Sequence, residues 1–410
     1  MRLIIIAIVF GFLFSCTEKT IEKVSMQKDV AILASDSLNG RKTGSEGERM
    51  AAQYIKQRFE SIGLNSKGSE GYFQEFNFKN SANPHKEAEL SEEETEDMLT
   101  GVNVIGYLDN QAENTVVIGA HYDHLGMGGE GSLYREGEAI HNGADDNASG
   151  VAVLMQLADR LLIESLLGMD NNYLFIAFSG EEEGLLGSNY FVKNPTINTK
   201  KVSYMINMDM VGRLNAEKTL AVYGVGTSPI LKQTVNANSG DLKIMEHESG
   251  VGPSDHTSFY LADIPVLHFF TGQHQDYHKP TDDAEKLNYE GMEMISDYIF
   301  NIVKDLDNQG KLPFRKTKNE SEVVPDFKVT LGVVPDYLFS GKGMRIDGVS
   351  EERPAQKAGL QKGDVVVKMG KFEVTDMMSY MECLSKFEKG QTVIVTVERN
   401  GSPLEVAVTF

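Results

Sequence analysis

Between residues 45 and 303 the chain alternates two textures. Short runs of Val, Ile, Leu and Phe occupy residues 102–108, 115–120, 173–178, 202–207, 219–223 and 265–270. Residues 45–62, 148–162 and 289–303 instead place apolar side chains at three- and four-residue spacing. The first texture predicts strands buried on both faces and the second predicts amphipathic helices. Their alternation predicts an α/β fold with three layers, a mixed and mostly parallel sheet flanked by helices. After residue 306 the pattern changes. Residues 307–326 are polar and carry Pro313 and Pro325, which reads as a linker. Short strands then recur at 329–332, 343–348, 364–368, 392–398 and 404–409, the mark of a small β-rich domain at 327–410.

The first sixteen residues form a separate unit. Met1-Arg2 is followed by an apolar run over residues 3–14 and then Ser15-Cys16. The run is too short to span a bilayer of about 30 Å, and the arrangement reads as an export signal over 1–16. Residues 13–16 (LFSC) resemble a bacterial lipoprotein box, which implies a lipid anchor on Cys16, with a plain secretory signal or an uncleaved anchor as the alternatives. The expected location is the cell envelope, periplasm or outer membrane, with membrane attachment through the lipid alone.

Composition narrows the function. Apolar residues make up 41% and charged residues 24%, a globular balance. With 39 basic and 60 acidic residues the formal charge is −21, which disfavours nucleic acid as a partner. Cys16 and Cys383 are the only cysteines, so a disulfide-stapled scaffold is excluded. Residues 87–97 (EAELSEEETED) read as a solvated acidic loop.

The candidate chemistry sits where the strands end. Residues 115–120 run into His121-Tyr122-Asp123-His124, and 173–178 into Ser179-Gly180-Glu181-Glu182-Glu183. Residues 202–207 run into Met208-Asp209, and 265–270 are followed by His274, Asp276, Tyr277 and His278. A fifth stretch, 142–150 (NGADDNASG), opens a helix. Carboxyl ends of strands in an open α/β sheet line one crevice, so these carboxylates and imidazoles are expected to converge there. Mixed nitrogen and oxygen donors suit zinc, with cobalt or manganese as possible substitutes. The lack of thiolates points to a catalytic rather than a structural site. His124, His141, His247 and His268 read as packing or outer groups, while for His256 and His274 a place near the site stands open.

The motifs taken together resemble the zinc aminopeptidase family that also contains glutamate carboxypeptidase, glutaminyl cyclase and the enzymatically inert transferrin receptor. The resemblance lies in residues 38–45 (LNGRKTGS), 103–106 (NVIG), 121–126 (HYDHLG), 142–150, 181–188 (EEEGLLGS), 207–212 (NMDMVG) and 277–278 (YH), and implies a peptidase domain over 17–306. It implies two zinc ions bridged by Asp145, one held by His121 and Asp209 and the other by Glu182 and His278. Asp145 would precede a cis peptide to Asp146, and Asp123 would orient His121. Glu181 takes the place of the general base, although a register with Glu182 as base and Glu183 as ligand competes. The resemblance implies metal-dependent removal of N-terminal residues from peptides. Carboxypeptidase, glutaminyl cyclase and an inert peptide-binding envelope protein are the alternatives. Asp255 or Glu181 could meet the substrate's ammonium group, and Asp255, His256 and Tyr277 are candidates for the substrate pocket.

Residues 353–364 (RPAQKAGLQKGD), with 331–337 and 340–344, resemble a PDZ domain of the bacterial envelope type. That implies a groove for an extended peptide or a protein C-terminus, with Gly341, Lys342, Gly343 and Met344 as the carboxylate loop and residues 377–387 as the helical wall. An occluded domain that braces the peptidase is the alternative. Cys383 is expected to be a small buried residue.

Overall fold

The computed structural model describes residues 24–410 except 80–88, 92–97, 130, 135, 318–328, 337–338, 340, 350–352 and 376. The export signal with Cys16, most of the acidic stretch 87–97 and the second half of the expected linker therefore lie outside the described residues.

The large sheet has ten strands: β1 (Asn65–Ser66), β2 (Phe73–Lys79), β3 (Glu89–Leu90), β4 (Leu99–Leu108), β5 (Asn114–His121), β6 (Asn171–Phe178), β7 (Val202–Met208), β8 (Thr219–Tyr223), β9 (Lys243–His247) and β10 (Val266–Phe270). Its order is β3-β2-β4-β6-β5-β7-β10-β8-β9, with β1 beside β4. The centre β6-β5-β7-β10 is parallel and the pairs flanking it are antiparallel. Each central strand is buried almost throughout and apolar along most of its length because both of its faces are covered. Val116, Ile118 and Ala120 enter one core and Val117 the other, and Phe175 and Ile176 divide in the same way.

The first core is roofed by α1 (Met26–Leu33), α2 (Glu46–Ile62), α3 (Gly150–Ser165), α5 (Leu231–Ala237) and α7 (Tyr289–Leu306). The second lies under α4 (Leu186–Lys193) and α6 (His256–Tyr260). The sequence signals for α2 are the ones that form its ends. Ser45 accepts from the Glu48 amide at 3.2 Å, and Gly63 closes the helix in the left-handed region. Among the described residues no helix is long and apolar enough to cross a membrane.

The expected linker differs from the structure over residues 307–317. Asp307 accepts from the Asp170 amide at 2.7 Å, from Asn171 at 3.0 Å and from the Tyr173 hydroxyl at 2.8 Å. Leu312 is buried, Phe314 packs on Tyr260, and the Arg315 amide donates to the Thr227 carbonyl at 2.7 Å. This polar stretch is a strap across the large domain rather than a spacer.

The small domain contains β11 (Val333–Pro335), β12 (Met344–Val349), β13 (Val365–Met369), β14 (Phe372–Glu373), β15 (Thr392–Arg399) and β16 (Ser402–Thr409), with α8 (Pro354–Lys357) and α9 (Met377–Leu384). Its core includes Met344, Ile346, Val366, Val395 and Cys383. In the expected carboxylate loop Gly341 and Lys342 are exposed, but Met344 is a core residue. The Gly343 amide already donates to the Thr375 carbonyl at 2.9 Å. An open cradle made of all four amides is therefore not what this stretch forms.

Candidate metal centre

Four strand ends and the turn before α3 meet in one place. His121, the last residue of β5, presents Nε2 to Asp209 Oδ1 at 3.3 Å and to Asp146 Oδ1 at 3.4 Å. His278, in the loop after β10, presents Nε2 to Asp146 Oδ2 at 3.2 Å and to Glu182 Oε2 at 3.3 Å. Both rings are oriented from behind. His278 Nδ1 donates to the Gly131 carbonyl at 2.8 Å, and His121 Nδ1 faces the Asp123 carbonyl at 3.3 Å and its carboxylate at 3.6 Å. Those partners favour a ring proton on Nδ1, so that Nε2 is the atom each ring turns toward the carboxylate oxygens.

Asp123 does more than orient His121. Its carboxylate accepts from the Glu181 amide at 3.2 Å, the Glu182 amide at 3.3 Å and the Thr43 hydroxyl at 3.0 Å. One buried side chain thereby ties the loop after β5 to the loop after β6.

The structure corrects the expectation for Asp145. Asp146, not Asp145, stands between His121 and His278, and the cis peptide lies one bond later, at Asp146–Asn147. Asp145 turns the other way: Oδ1 accepts from the Gly212 amide at 2.6 Å, and Oδ2 faces His274 Nε2 at 3.1 Å. The reason is local. Asp146 and Asn147 depart from helical geometry within the turn, so the two neighbouring carboxylates point to opposite sides of it.

Of the three glutamates, Glu181 stands beside His121 and Asp209, and Glu182 faces His278 and His124. Glu183 lies 3.6 Å from Lys42 instead, which leaves the competing register without its ligand. Burial, followed by the Asp209, Glu182 and Asp255 carboxylates, pushes the Glu181 carboxyl well above its ordinary range, with His121 opposing. Burial alone would lower His121 and His278, yet Asp209 and Glu181 around the first, and Glu182 and Asp146 around the second, raise both well above the ordinary imidazole value. A field that keeps a proton on a buried imidazole is also one that attracts a divalent cation.

Geometry supplies a sharper test of fit. Zinc bonds of about 2.0–2.1 Å at tetrahedral angles place neighbouring ligand atoms about 3.3 Å apart. The four separations across His121, Asp209, Asp146, Glu182 and His278 run from 3.2 to 3.4 Å. The donors fit two zinc ions that share Asp146.

The cavity in front of these residues has a volume of about 120 Å3. Met210, Tyr223, Phe270 and Tyr277 give it an apolar side, and Pro253, His268 and Gln273 complete the wall. Tyr277, a candidate for the substrate pocket, lines this cavity and stacks on His278 with ring centroids 3.8 Å apart. Asp255 and His256 lie behind the wall, fully buried. Burial pushes the Asp255 carboxyl up to about 7 against the pull of His121 and Ser188. His256 stacks on His268 at 4.3 Å. Sequence reasoning gave Asp146 no ligand role, did not mention Gln273, and read His124 and His268 as packing or outer groups. The pairing of two aspartates in 142–150 was the available signal for the first.

The comparisons agree with this fold. Residues 103–303 match the model of peptidase family M28, and residues 314–410 match that of the PDZ domain. A probable leucine aminopeptidase from Trichophyton verrucosum is 31% identical over 171 residues, covering 40% of this chain and 44% of that relative. The chain thus spans under half the length of the first curated relatives it matches. A zinc aminopeptidase from Bacillus subtilis superposes with a TM-score of 0.53 at 16% identity, covering 70% of this chain and 97% of that one. Porphyromonas gingivalis glutaminyl cyclase superposes with a TM-score of 0.53 at 19% identity, covering 68% and 97%. At these identities the two structures establish a shared fold.

Proposed function

Because this chain belongs to peptidase family M28 through residues 103–303 and carries a PDZ domain through residues 314–410, we propose that it is a dimetal aminopeptidase. The observation that carries the reading is Asp146 shared between two sets of nitrogen and oxygen donors, with Glu181 on the wall of the same cavity. His121 and Asp209 with Asp146 would hold one zinc ion, and His278 and Glu182 with Asp146 the other. Bound there, the ions would supply Lewis acidity to the scissile carbonyl and lower the pKa of water at the site.

The protein's own groups divide the remaining work. Glu181 takes the proton of the attacking water on a carboxylate oxygen and returns it to the nitrogen of the leaving amine. The cavity of about 120 Å3 suits a single side chain, which favours trimming at a chain end. Its lining contains four carboxylates and no Arg or Lys among the described residues. Asp146, Glu182 and Asp209 are the proposed zinc ligands, which leaves Glu181 as the carboxylate that can face a terminal ammonium group. A terminal carboxylate lacks the guanidinium or ammonium it ordinarily takes, which disfavours the carboxypeptidase alternative.

The same reading extends to the ends of the chain. The PDZ domain takes an extended peptide or protein C-terminus. Support comes from the family match and from β11, which pairs on one side only among the described residues. Cys16 carries the lipid that tethers the protein in the cell envelope, supported by residues 1–16 alone.

The test is an assay of zinc-reconstituted protein on amino-acid p-nitroanilides, N-acetylated counterparts and peptides beginning with glutamine. Chelator-sensitive release from free amino ends is expected, and Glu181→Gln should lose about 10²- to 10⁴-fold in rate while retaining its metal. Release from carboxyl ends, or ring closure of the glutaminyl peptide without hydrolysis, would refute the assignment.

A further inference from the structure

His124 belongs to the same motif as His121, yet the dimetal reading gives it no role. Its side chain is fully buried, its ring packs edge-on against His278 at 5.8 Å, and its Nε2 has no hydrogen-bond partner among the described residues. Nδ1 lies 2.8 Å from Glu182 Oε1 and 3.9 Å from Asp146 Oδ2. The backbone makes room for this ring. Gly143 adopts a φ of 54°, and a Cβ there would sit 2.6 Å from two of the His124 ring carbons.

Two roles are conceivable for a buried imidazole in this position, and the distance separates them. Two ligands of one zinc ion lie about 3.3 Å apart, as the four separations around Asp146 do. A charge-assisted N–H···O bond is shorter, about 2.7–2.9 Å. The His124–Glu182 separation falls in the second class. The oxygens of Glu182 are moreover divided: Oε1 faces His124 and Oε2 faces His278.

Resting on the dimetal reading, we propose that His124 is a positioning residue whose Nδ1–H holds Glu182 Oε1, so that Glu182 offers only Oε2 to the metal position it shares with His278 and Asp146. Removing the donor frees the Glu182 side chain to rotate and leaves a lone carboxylate oxygen buried without its partner. The metal position on that side then weakens, while the one at His121 and Asp209 keeps its ligands.

The experiment is zinc binding to chelator-stripped protein, followed by titration calorimetry and by competition with a chromophoric chelator. His124→Leu should weaken one of the two zinc ions by about 10- to 100-fold, the range seen when the outer partner of a metal ligand is removed. His124→Asn places an amide N–H near the position of Nδ1 and should stay within a few-fold of wild type. His124→Gln places its donor near Nε2 and should fall with His124→Leu. If His124→Leu does not fold, as judged by circular dichroism, the Asn and Gln variants decide the question between them.

Unchanged affinity for both ions in the Leu or Gln variant overturns the inference. So does an Asn variant as weak as Gln, which would make the imidazole itself a ligand. Wild-type protein that takes up fewer than two zinc ions overturns the dimetal reading and this inference with it. Two ions in the wild type with two undiminished ions in His124→Leu overturns this inference alone.

Discussion

Glu48 offers the most direct test of the electrostatics beneath the site. It is fully buried in the first turn of α2, and its carboxyl group reaches β4 and the loops that follow β5 and β6. Oε2 accepts from the Gly44 amide at 2.6 Å. Oε1 accepts from the Val102 amide at 3.3 Å, contacts the Ser179 hydroxyl and lies 3.2 Å from the Tyr122 hydroxyl. Tyr122 has one proton to give, and the Val102 carbonyl at 2.6 Å is the nearer acceptor. The Glu48–Tyr122 contact is therefore satisfied only when Glu48 itself carries a proton. Burial, the largest influence, and the nearby Asp123 charge act in the same direction, while Ser179, Gly44 and Val102 oppose. The balance raises the carboxyl from 4.5 to about 7.

A carboxyl raised on folding adds stability that is fully present below its unfolded value and is lost as pH rises through the folded one. At about 1.4 kcal/mol per pKa unit the whole effect is about 3 kcal/mol, of which about 2 kcal/mol lies between pH 5.5 and 8. The assay is urea unfolding of chelator-stripped wild type and Glu48→Gln across that interval, with only the difference between them interpreted. The wild type should lose about 2 kcal/mol relative to the variant as pH rises. If its relative stability instead grows with pH, the hydrogen-bond donors outweigh burial and the reasoning fails.

Three other substitutions probe the placement of the site. Asp146→Asn should strip both zinc ions from the protein, whereas Asp145→Asn should keep both and cost about 1–3 kcal/mol through the weakened Gly212 contact. Metal analysis after dialysis, together with urea unfolding, separates the two, and the reverse result would restore Asp145 as the shared ligand. Arg41 is buried and donates to the carbonyls of Tyr122 at 2.7 Å, Asn142 at 2.7 Å, Gly143 at 3.0 Å and Leu33. Arg41→Met orphans all four and should lower unfolding free energy by about 4 kcal/mol or more, measured in urea.

The parallel centre of the sheet was legible because strands covered on both faces are largely apolar, as β5, β6 and β7 are over residues 116–120, 173–178 and 204–206. β2 escaped because it is an outer antiparallel strand on which only Gln74, Phe76 and Phe78 are buried, and the polar residues between them hide it. The strap over 307–317 escaped because it is held by a few anchors, Asp307, Leu312 and Phe314, rather than by a periodic face. At the site, residue types and strand ends located His121, Glu182, Asp209 and His278, since a chain leaving a strand has little choice of direction. Asp145 and Asp146 could not be ranked in the same way. They adjoin in a turn of irregular backbone, and the groups on either side, the Gly212 amide for Asp145 and the His121 and His278 rings for Asp146, distinguish which of them faces the metal position. His124 could be read no further than as a packing or outer group for a related reason, because its contact depends on which oxygen of Glu182 it meets.

Buried side chains bonded to backbone amides and carbonyls explain how the site keeps its shape. Asp123 joins the loop after β5 to the loop after β6 through the Glu181 and Glu182 amides. Arg41 joins the loop after β5 to the turn at Asn142 and Gly143. Asn147 continues the circuit, donating to the Met208 carbonyl at 3.0 Å and accepting from the Met210 amide at 3.2 Å. Asp282, beyond β10, accepts from the Asp145 and Asp146 amides at 2.9 and 3.1 Å. Every loop that contributes to the centre is thus bonded to another such loop by a buried side chain that is not itself a proposed ligand. Each tie is a buried polar group whose partner is costly to leave unmade, so the arrangement resists distortion one loop at a time. The carboxylates are thereby held within 3.4 Å of the imidazoles by a network of buried ties, the kind of support that fixes the geometry of a metal site.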